Sequence, residues 1–394
     1  MTHYYLDHPE VVHWSYADQM AHLADQHFGN ANYMDQHLTQ LGVETAQVIW
    51  NARPLQDAWA REHSLENLSR TQLILHQLAA FQPTVVLIDG IAFDDPFFQR
   101  IRHDIPSVKA ILGFLCAPCS DSGIKSLRCC DLILTCTPHF QEKFTQLGIR
   151  SRLIYHAFEP SLLPLISKTS SDPGPDLVFM GSLMSGQGYH HTRRDLVLKL
   201  LDAKIDFDVF STVSKPETLT KTALRSGMYD LVQGLRRVGV PPSWIAKVPG
   251  LSRALSWSQR PQRDLLFSRI NAHLKPPVVG LKMLAALANA KIGFNAHIDA
   301  AGEYAGNMRL FETTGVGTCL LTDAKKNMAD LFEIDREVVT YRSIDEALEK
   351  INWLLAHPQE RAAIAKAGQE RTLRSHNYEL RSKDLNRHIL DLLY

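Results

Sequence analysis

The chain of 394 residues is long enough for two domains of ordinary size, and its 45% of hydrophobic residues can fill two cores. Its 42 Lys and Arg residues balance its 42 Asp and Glu residues, so no overall field attracts it to nucleic acid, and we expect no nucleic-acid partner. No apolar run approaches the length of a membrane helix, and the polar start has no signal-peptide core, which predicts a cytoplasmic protein.

The first half of the chain alternates short apolar runs with helical patterns. Residues 1–43 have a mainly helical pattern, and residues 44–50 are predicted to form the first strand. The predicted strands that follow are 84–90, 109–115, 131–136 and 151–155, with helices over 70–81, from Pro96, and over 138–147. This alternation predicts a parallel sheet covered on both faces.

Ligand sites in such sheets lie beyond the carboxyl ends of the strands, where three ionisable residues stand. Asp121 or Asp89 could act as a base on an acceptor hydroxyl, although a loop Asp more often caps the next helix. His156 ends the last strand of this half, just before the expected hinge.

Five of the six cysteines lie within 21 residues: Cys116, Cys119, Cys129, Cys130 and Cys136. A Cys-x-x-Cys followed by Cys-Cys could hold zinc, but the spacing fits no common ligand pattern. Cys130 and Cys136 flank or enter an apolar strand, where small hydrophobic residues belong. We therefore expect no metal site.

A polar connector rich in Pro and Gly, residues 168–175, marks the predicted boundary between domains 1–170 and 171–376. Gly181 and Ser182 end the first strand of the second domain. Arg193 lies on the helix that follows a Gly-x-Gly loop at 186–188, which makes this a second candidate corner for phosphate. A strand is predicted over 206–211.

Residues 234–277, the basic insertion, carry eight Lys and Arg residues against one acid, Asp264. Trp244, Trp257 and Phe267 lie between them. Such a segment can contact an anionic membrane surface or hold a phosphorylated acceptor. A solvated insertion of loops and helices is the alternative interpretation.

The stretch 302–317, the donor corner, leads a small-residue loop into a short helix, and an apolar strand over 318–322 follows. Gly306 and Asn307 lie where the loop becomes the helix, so backbone N–H groups without intrahelical partners can bind phosphate there. Arg309 can add a forked cationic donor.

Glu312 lies three residues after Arg309, on the same helical side, and can accept two hydrogen bonds from a vicinal diol such as a ribose. Gly315 and Gly317 let a ligand approach the backbone without an intervening Cβ. The alternative is an ordinary capped helix with Arg309 and Glu312 as a solvated pair.

These residues also carry a family resemblance. The run Asn307-x-Arg309-x-Phe311-Glu312-x-x-Gly315-x-Gly317, followed by Leu320-Leu321-Thr322-Asp323 and later by His376, resembles the C-terminal half of GT-B glycosyltransferases of the group 1 type, which includes CgeB-like spore maturation proteins. The resemblance is specific over about residues 276–390 and weaker over 84–195, where His156-Ala157-Phe158-x-Pro160 matches a run of the family.

The resemblance implies two doubly wound Rossmann-like domains facing a cleft, with a C-terminal helix, 377–394, that crosses back to the first domain. It implies a nucleotide-sugar donor with Glu312 on the ribose, transfer to an unknown acceptor hydroxyl, and retention of configuration. Helix-end N–H groups and Arg309 would neutralise the diphosphate, so neither a metal nor a cofactor is expected.

The candidate catalytic residues are Arg309, His156 and Asp121; an inverting enzyme would use Asp121, Asp89 or His156 as base. Many retaining GT-B enzymes have a second glutamate eight residues before the first. Here that position is Tyr304, with Glu303 one place off as the candidate donor contact. A non-catalytic binding or scaffold protein and a nucleotide-sugar epimerase of the same architecture are the alternatives.

Overall fold

A computed structural model describes residues 1–27, 31–90, 92–166, 174–183, 191–213, 218–257, 259–261 and 266–394, without the side chains of residues 2, 3, 31, 121 and 122. The described residues form two compact units, one of residues 1–179 and 278–394 and the other of residues 180–277. The predicted connector 168–175 lies largely outside the described residues, and the loop 186–188 lies wholly outside them. The predicted domain boundary stays a prediction.

The strands are β1 (Val85–Asp89), β2 (Ala110–Phe114), β3 (Leu132–Thr135), β4 (Ser151–Leu153), β5 (Leu177–Met180), β6 (Phe207–Phe210), β7 (Leu274–Lys275), β8 (Ile292–Asn295), β9 (Cys319–Asp323) and β10 (Val339–Tyr341).

The α-helices of the described residues are α1 (Thr2–Asp7), α2 (Tyr16–Asp25), α3 (Ala31–Gln40), α4 (Arg53–Glu62), α5 (Arg70–Phe81), α6 (Asp95–Asp104), α7 (Asp121–Leu127), α8 (Pro138–Gln146), α9 (His191–Asp202), α10 (Leu219–Arg237), α11 (Pro242–Ile245), α12 (Leu251–Ala254), α13 (Leu266–Ile270), α14 (Gly280–Asn289), α15 (Met308–Gly315), α16 (Met328–Leu331), α17 (Ile344–Ala356), α18 (Pro358–Ser375) and α19 (Tyr378–Leu393). Within the described ranges, no helix has the length and apolar character needed to cross a membrane.

The first sheet of the larger unit is parallel, in the order β1-β2-β3-β4. Each strand is followed in the sheet by the next strand of the chain, and α6, α7 and α8 make the three connections. Because such connections are right-handed, the three helices lie on one face of the sheet. Ile88 and Ile111 pack there with Phe97 of α6, and Ile133 packs with Phe144 of α8. The opposite face is therefore available to segments from elsewhere in the chain.

Two distant helices cover that opposite face. Leu112, Leu134 and Ile154 pack with Leu38 of α3 and Leu385 of α19. The terminal helix thus returns to the first sheet, as the family resemblance predicted. Burial of these aliphatic side chains is the main term that holds α19 in place.

The predicted strand over residues 44–50 is wrong. These residues pair with no strand of the described chain, and the segment ends in a tight turn in which Trp50 N donates to Val48 O at 3.1 Å. The side-chain amide of Gln56 donates to the carbonyl of Ile49 at 3.2 Å. The apolar side chains are used to line a cavity over the sheet, which requires no strand ladder.

The second sheet of the larger unit contains the neighbouring parallel strands β10-β9-β8-β5. Ile292 is in register with both Leu177 and Cys319, and Leu321 with Val339. The helix α15 follows β8 through the donor corner and packs on α18 and β9. The sheet thereby places the predicted donor residues at the carboxyl ends of its strands.

The smaller unit holds β6 and β7, paired in parallel, and the helices α9 to α13. A small core of Val232, Ile245, Leu251 and Ala254 joins α10, α11 and α12. The described part of the basic insertion is thus mainly helical and shares a small apolar core with α10.

We expect Gly315→Ala to destabilise the protein, because a Cβ at this position would lie 2.3 Å from the ring of Phe158, which is fully buried. Overpacking of this kind costs about 1–3 kcal/mol, measured as the free energy of unfolding in urea. Gly234→Ala on the exposed side of α10 is the control, since nothing lies within 4 Å of its Cβ. A Gly315→Ala effect no larger than that of the control would contradict the packing argument.

Candidate donor site and the edge of the first sheet

Asn307 anchors the donor corner to the end of β8. Its amide Nδ2 donates to Asn295 Oδ1 at 2.8 Å, and Asn295 Nδ2 donates to Thr322 Oγ1 at 2.8 Å. Asn307 is the N-cap residue of α15 but its side chain makes no capping hydrogen bond. The side chain therefore fixes the loop, while the first backbone N–H groups of α15 receive no acceptor from it.

Gly306 is required by a close backbone contact. A Cβ on Gly306 would lie 2.2 Å from the carbonyl oxygen of Cys136 and 2.6 Å from Thr137 Cγ2. Because backbone atoms cannot yield as a flexible side chain can, only glycine fits here. The donor corner thus lies directly against the start of α8, which Thr137 caps.

Arg309 and Glu312 form an ion pair that is largely withdrawn from water. Arg309 Nη1 lies 2.6 Å from Glu312 Oε2, and their side chains are 19% and 10% exposed. The alternative of a solvated pair is therefore wrong. Neither Arg309 Nε nor Glu312 Oε2 has a well-aligned hydrogen bond within the described part of the chain. Arg309 Nη1 also contacts the sulfur of Met283, at 3.1 Å.

Two tyrosines near Glu312 were not found from the sequence. Burial raises the pKa of Tyr378, and the carboxylate of Glu312 raises it further. Burial also raises the pKa of Tyr33, with contributions from Glu159 and Glu312. The two rings lie 5.2 Å apart, and Tyr33 Oη is buried without a hydrogen-bond partner among the described residues. No periodicity or motif marks Tyr33, because α3 reaches Glu312 only through the fold.

Tyr304 and Glu303, at and beside the position of the family's second glutamate, are engaged with other side chains. Tyr304 Oη donates to Glu142 Oε1 at 2.8 Å, and this hydrogen bond raises the pKa of Tyr304. Glu303 is exposed and pairs with Lys326 at 2.5 Å. Gly315 makes its close approach to the ring of Phe158. Donor contacts of Glu303 and Gly315 stay predictions.

The other predicted donor residues lie in the smaller unit. Gly181 N donates to Phe210 O at 3.3 Å, and Ser182 follows it directly. Arg193 is buried on α9. Their part in donor binding stays a prediction.

The carboxyl edge of the first sheet brings Asp89, Cys116, Cys136 and His156 together. Burial raises the pKa of Asp89, and His156 opposes that shift. Cys136 and His156 are buried, and a hydrogen bond from the Cys116 thiol lowers the pKa of Cys136. Asp121 is the first residue of α7, and its side chain lies outside the described part.

A cavity of about 780 Å³ lies over the face of the first sheet that also packs against α3 and α19. Its wall is mainly apolar and includes Leu87, Phe114, Leu134 and Ile154, with Asp89 as an ionisable group. A concave, largely apolar site with few polar groups is the usual form of a small-molecule pocket. The cavity is therefore a candidate acceptor pocket.

A second pair missed by the sequence analysis joins the ends of β8 and β9. Asp323 Oδ1 accepts from His297 N at 3.0 Å and lies 2.7 Å from His297 Nδ1, and Lys325 Nζ lies 3.3 Å from Asp323 Oδ2. Burial raises the pKa of Asp323, but His297 and Lys325 outweigh it and hold the pKa at about 2. The position of both residues at the carboxyl ends of buried strands, Asp323 as the last residue of β9 and His297 just beyond β8, was the available signal.

Comparison with known proteins supports the sequence-based resemblance. Residues 231–387 match a family model described as glycosyl transferase-like. No curated protein matches the chain significantly. Among solved structures, sucrose-phosphate synthase from Thermosynechococcus elongatus is similar over 92% of both chains, with 10% identity and a TM-score of 0.52.

Two further structures are similar at comparable levels. A glycosyltransferase from Rickettsia africae is 9% identical over 91% of this chain and 87% of its own, with a TM-score of 0.50. HepE from Anabaena, in complex with UDP-glucose, is 12% identical over 82% of each chain, with a TM-score of 0.50. The predicted GT-B type of α/β fold is thus confirmed. The match to a glycosyl transferase-like family model covers residues 231–387, and the CgeB-like branch stays a prediction.

We expect Asp323→Asn to lower the free energy of unfolding by about 2 kcal/mol at pH 7, because the folded-state pKa of Asp323 lies well below its unfolded value. This stabilisation is present above the unfolded pKa and is lost as the pH falls through the folded one. The difference between wild type and variant should therefore shrink between about pH 4 and about pH 2.

Urea unfolding at a series of pH values measures this difference. Asp57→Asn is the control, since Asp57 pairs with Arg53 at 3.5 Å on the exposed side of α4, where ion pairs contribute about 0–1 kcal/mol. A pH-independent Asp323→Asn effect would show that the carboxylate charge is not its cause.

Proposed function

We propose that this protein is a glycosyltransferase that moves a sugar from a nucleoside-diphosphate donor, bound at the donor corner, to a hydroxyl group of an acceptor. The observation that carries the proposal is the pair of buried atoms Arg309 Nε and Glu312 Oε2, which lack aligned hydrogen-bond partners among the described residues. Glu312 Oε2 is held by its ion pair with Arg309 Nη1 at 2.6 Å, and Arg309 Nε lacks an aligned partner. Buried polar atoms with incomplete hydrogen bonding are costly, and a ligand that completes it removes that cost.

A sugar nucleotide matches the chemistry of these groups. The diphosphate would lie at the N-terminus of α15, where backbone N–H groups and Arg309 stabilise the negative charge that develops on the leaving group. The ribose diol would donate hydrogen bonds to Glu312. These cationic and N–H donors perform the role of a divalent ion, so the transfer needs no metal at the diphosphate.

The proposal also covers the identity of the donor and the stereochemistry of the transfer. HepE, one of the similar structures, binds UDP-glucose, which makes uridine diphosphate sugars the first donors to test. Retention of configuration rests on the family resemblance. NMR of the product anomer decides between retention and an inverting reaction that uses Asp89, Asp121 or His156 as base.

One observation favours a second candidate, a sugar-nucleotide binding protein without transferase activity. At the position of the family's second glutamate, Tyr304 is engaged with Glu142. A site that lacks this glutamate could hold the nucleotide and yet fail to orient the sugar. The two candidates differ in whether bound donor is ever cleaved.

Contact with an anionic membrane remains part of the proposal for the acceptor. Trp244 is 67% exposed on α11, which fits an interfacial residue. Trp257 instead packs in the small core and against the Arg225 guanidinium, 4.9 Å from its ring centroid. Arg260 pairs with Asp230 at 2.8 Å and Arg269 with Asp202 at 2.5 Å. These pairs reduce the net positive charge that the sequence of the insertion suggests.

The function is tested by incubating the purified protein with a panel of nucleotide sugars and measuring release of free nucleotide. A transferase should hydrolyse its correct donor slowly even without acceptor. A donor that binds in calorimetry but is not cleaved, with or without hydroxyl acceptors, would favour the binding protein. If no nucleotide sugar binds, the proposed donor site is wrong.

Glu312→Gln keeps the shape of the side chain but loses charge-assisted acceptance from the ribose. We expect donor affinity in calorimetry to fall by about 1.5–3 kcal/mol, or roughly 10- to 150-fold. Glu379→Gln is the matched control, because Glu379 also pairs with a cation at 2.6 Å, Lys383, but on the exposed surface of α19. Equal donor affinity in the two variants would remove Glu312 from the site.

A further inference from the structure

Three potential metal ligands meet at the carboxyl edge of the first sheet. One ligand atom from each of Cys116, Cys136 and His156 lies within 4.8 Å of the other two. Cys116 follows β2, Cys136 follows β3 and His156 follows β4. We call these residues the thiol cluster.

The cluster continues the sheet face that carries the cavity. Phe114, Leu134 and Ile154 line the cavity, and each precedes a member of the cluster by two residues. Cys116, Cys136 and His156 lie just beyond the carboxyl ends of β2, β3 and β4, so the cluster stands at the edge of the sheet next to these cavity residues. The rings of Phe114 and His156 are 5.9 Å apart, which keeps the cluster at the end of the cavity wall.

The separation of the ligand atoms suits a tetrahedral zinc ion. Zn–S bonds of about 2.3 Å and Zn–N bonds of about 2.0 Å place neighbouring tetrahedral ligands about 3.5–3.8 Å apart. Ligand atoms already within 4.8 Å of one another reach that spacing through side-chain shifts of about 1 Å or less. Thiolate and imidazole together select zinc and similar ions over magnesium or calcium.

The surroundings favour a bound ion over purely apolar packing. Cys136 and His156 are 3% and 8% exposed, and Cys136 forms side-chain hydrogen bonds with Cys116 and His156, so the three groups depend on one another rather than on water. Asp89 lies on the cavity wall and acts electrostatically on both Cys116 and His156. A cation at the cluster would be stabilised by two thiolates and by this nearby carboxylate.

We propose that Cys116, Cys136 and His156 bind a divalent cation of the zinc class, with the fourth tetrahedral position available to a water or to a ligand group in the cavity. Three protein ligands and one open position are the arrangement of catalytic rather than structural zinc sites. In this assignment His156 serves as a ligand and not as a base. The proposal concerns the first sheet and does not depend on donor binding at the donor corner.

The test is a titration of reduced, chelator-treated full-length protein with Co²⁺, under conditions that exclude oxygen. We expect saturation at one ion per chain, with a near-ultraviolet thiolate-to-cobalt charge-transfer band and visible bands of tetrahedral cobalt, all of which Zn²⁺ should abolish by displacement. Cys116→Ser and Cys136→Ser should each weaken the charge-transfer band strongly. Cys129→Ser is the control and should leave it unchanged, because Cys129 is not part of the cluster.

A second measurement on the wild-type protein avoids reliance on variants that fail to fold. Zn²⁺ should protect the partly exposed thiol of Cys116 from alkylation, read by mass spectrometry of peptides, while Cys129, also partly exposed, reacts equally with and without the ion. Absence of a charge-transfer band in folded wild type would overturn the proposal, as would a band that persists when Cys116→Ser and Cys136→Ser are combined. Oxidation that links Cys116 to Cys136 equally fast with and without Zn²⁺ would identify a redox pair and also overturn it.

Discussion

The larger unit depends on the close approach of α15 to the first sheet, which two glycines permit. At one end the backbone of Gly306 lies against the carbonyl of Cys136, and at the other Gly315 lies against the ring of Phe158. Arg309 and Glu312 lie between these two contacts. Because neither contact leaves room for a Cβ, the position of the ion pair is fixed by packing, as a preorganised electrostatic site requires.

The same packing withdraws the pair from water. Phe158 N donates to His376 O at 2.9 Å, and Tyr378 N donates to Phe158 O at 3.3 Å, so α19 starts beside α15. Tyr378 and Tyr33 then lie close enough for the buried carboxylate of Glu312 to raise the pKa of both. Charge interactions are stronger in such an environment, and unpaired polar atoms are correspondingly more costly. A polar ligand that completes the hydrogen bonds of this pair would therefore be bound favourably.

Cys136 links the two proposed sites. Its carbonyl oxygen faces Gly306 at the donor corner, and its thiol belongs to the thiol cluster at the end of the cavity. A transferase must hold a donor and an acceptor close to each other, and one residue with its backbone at the first and its side chain at the second provides that proximity. A cation on the cluster would therefore lie one residue's breadth from the donor corner.

The sequence by itself determined the local elements, which depend on residues close together in the chain. Alternating apolar runs predicted β1 to β4, and the Gly-Asn start predicted the helix α15 with Arg309 and Glu312 on one side. Periodicity failed for residues 44–50, whose apolar side chains line a cavity instead of a strand ladder. It also gave no sign of Tyr33, nor of the thiol cluster, because cysteine spacing along the chain does not include a histidine twenty residues after Cys136. Only the tertiary structure decided these, since parallel strands bring together ends that the sequence separates by a whole crossover.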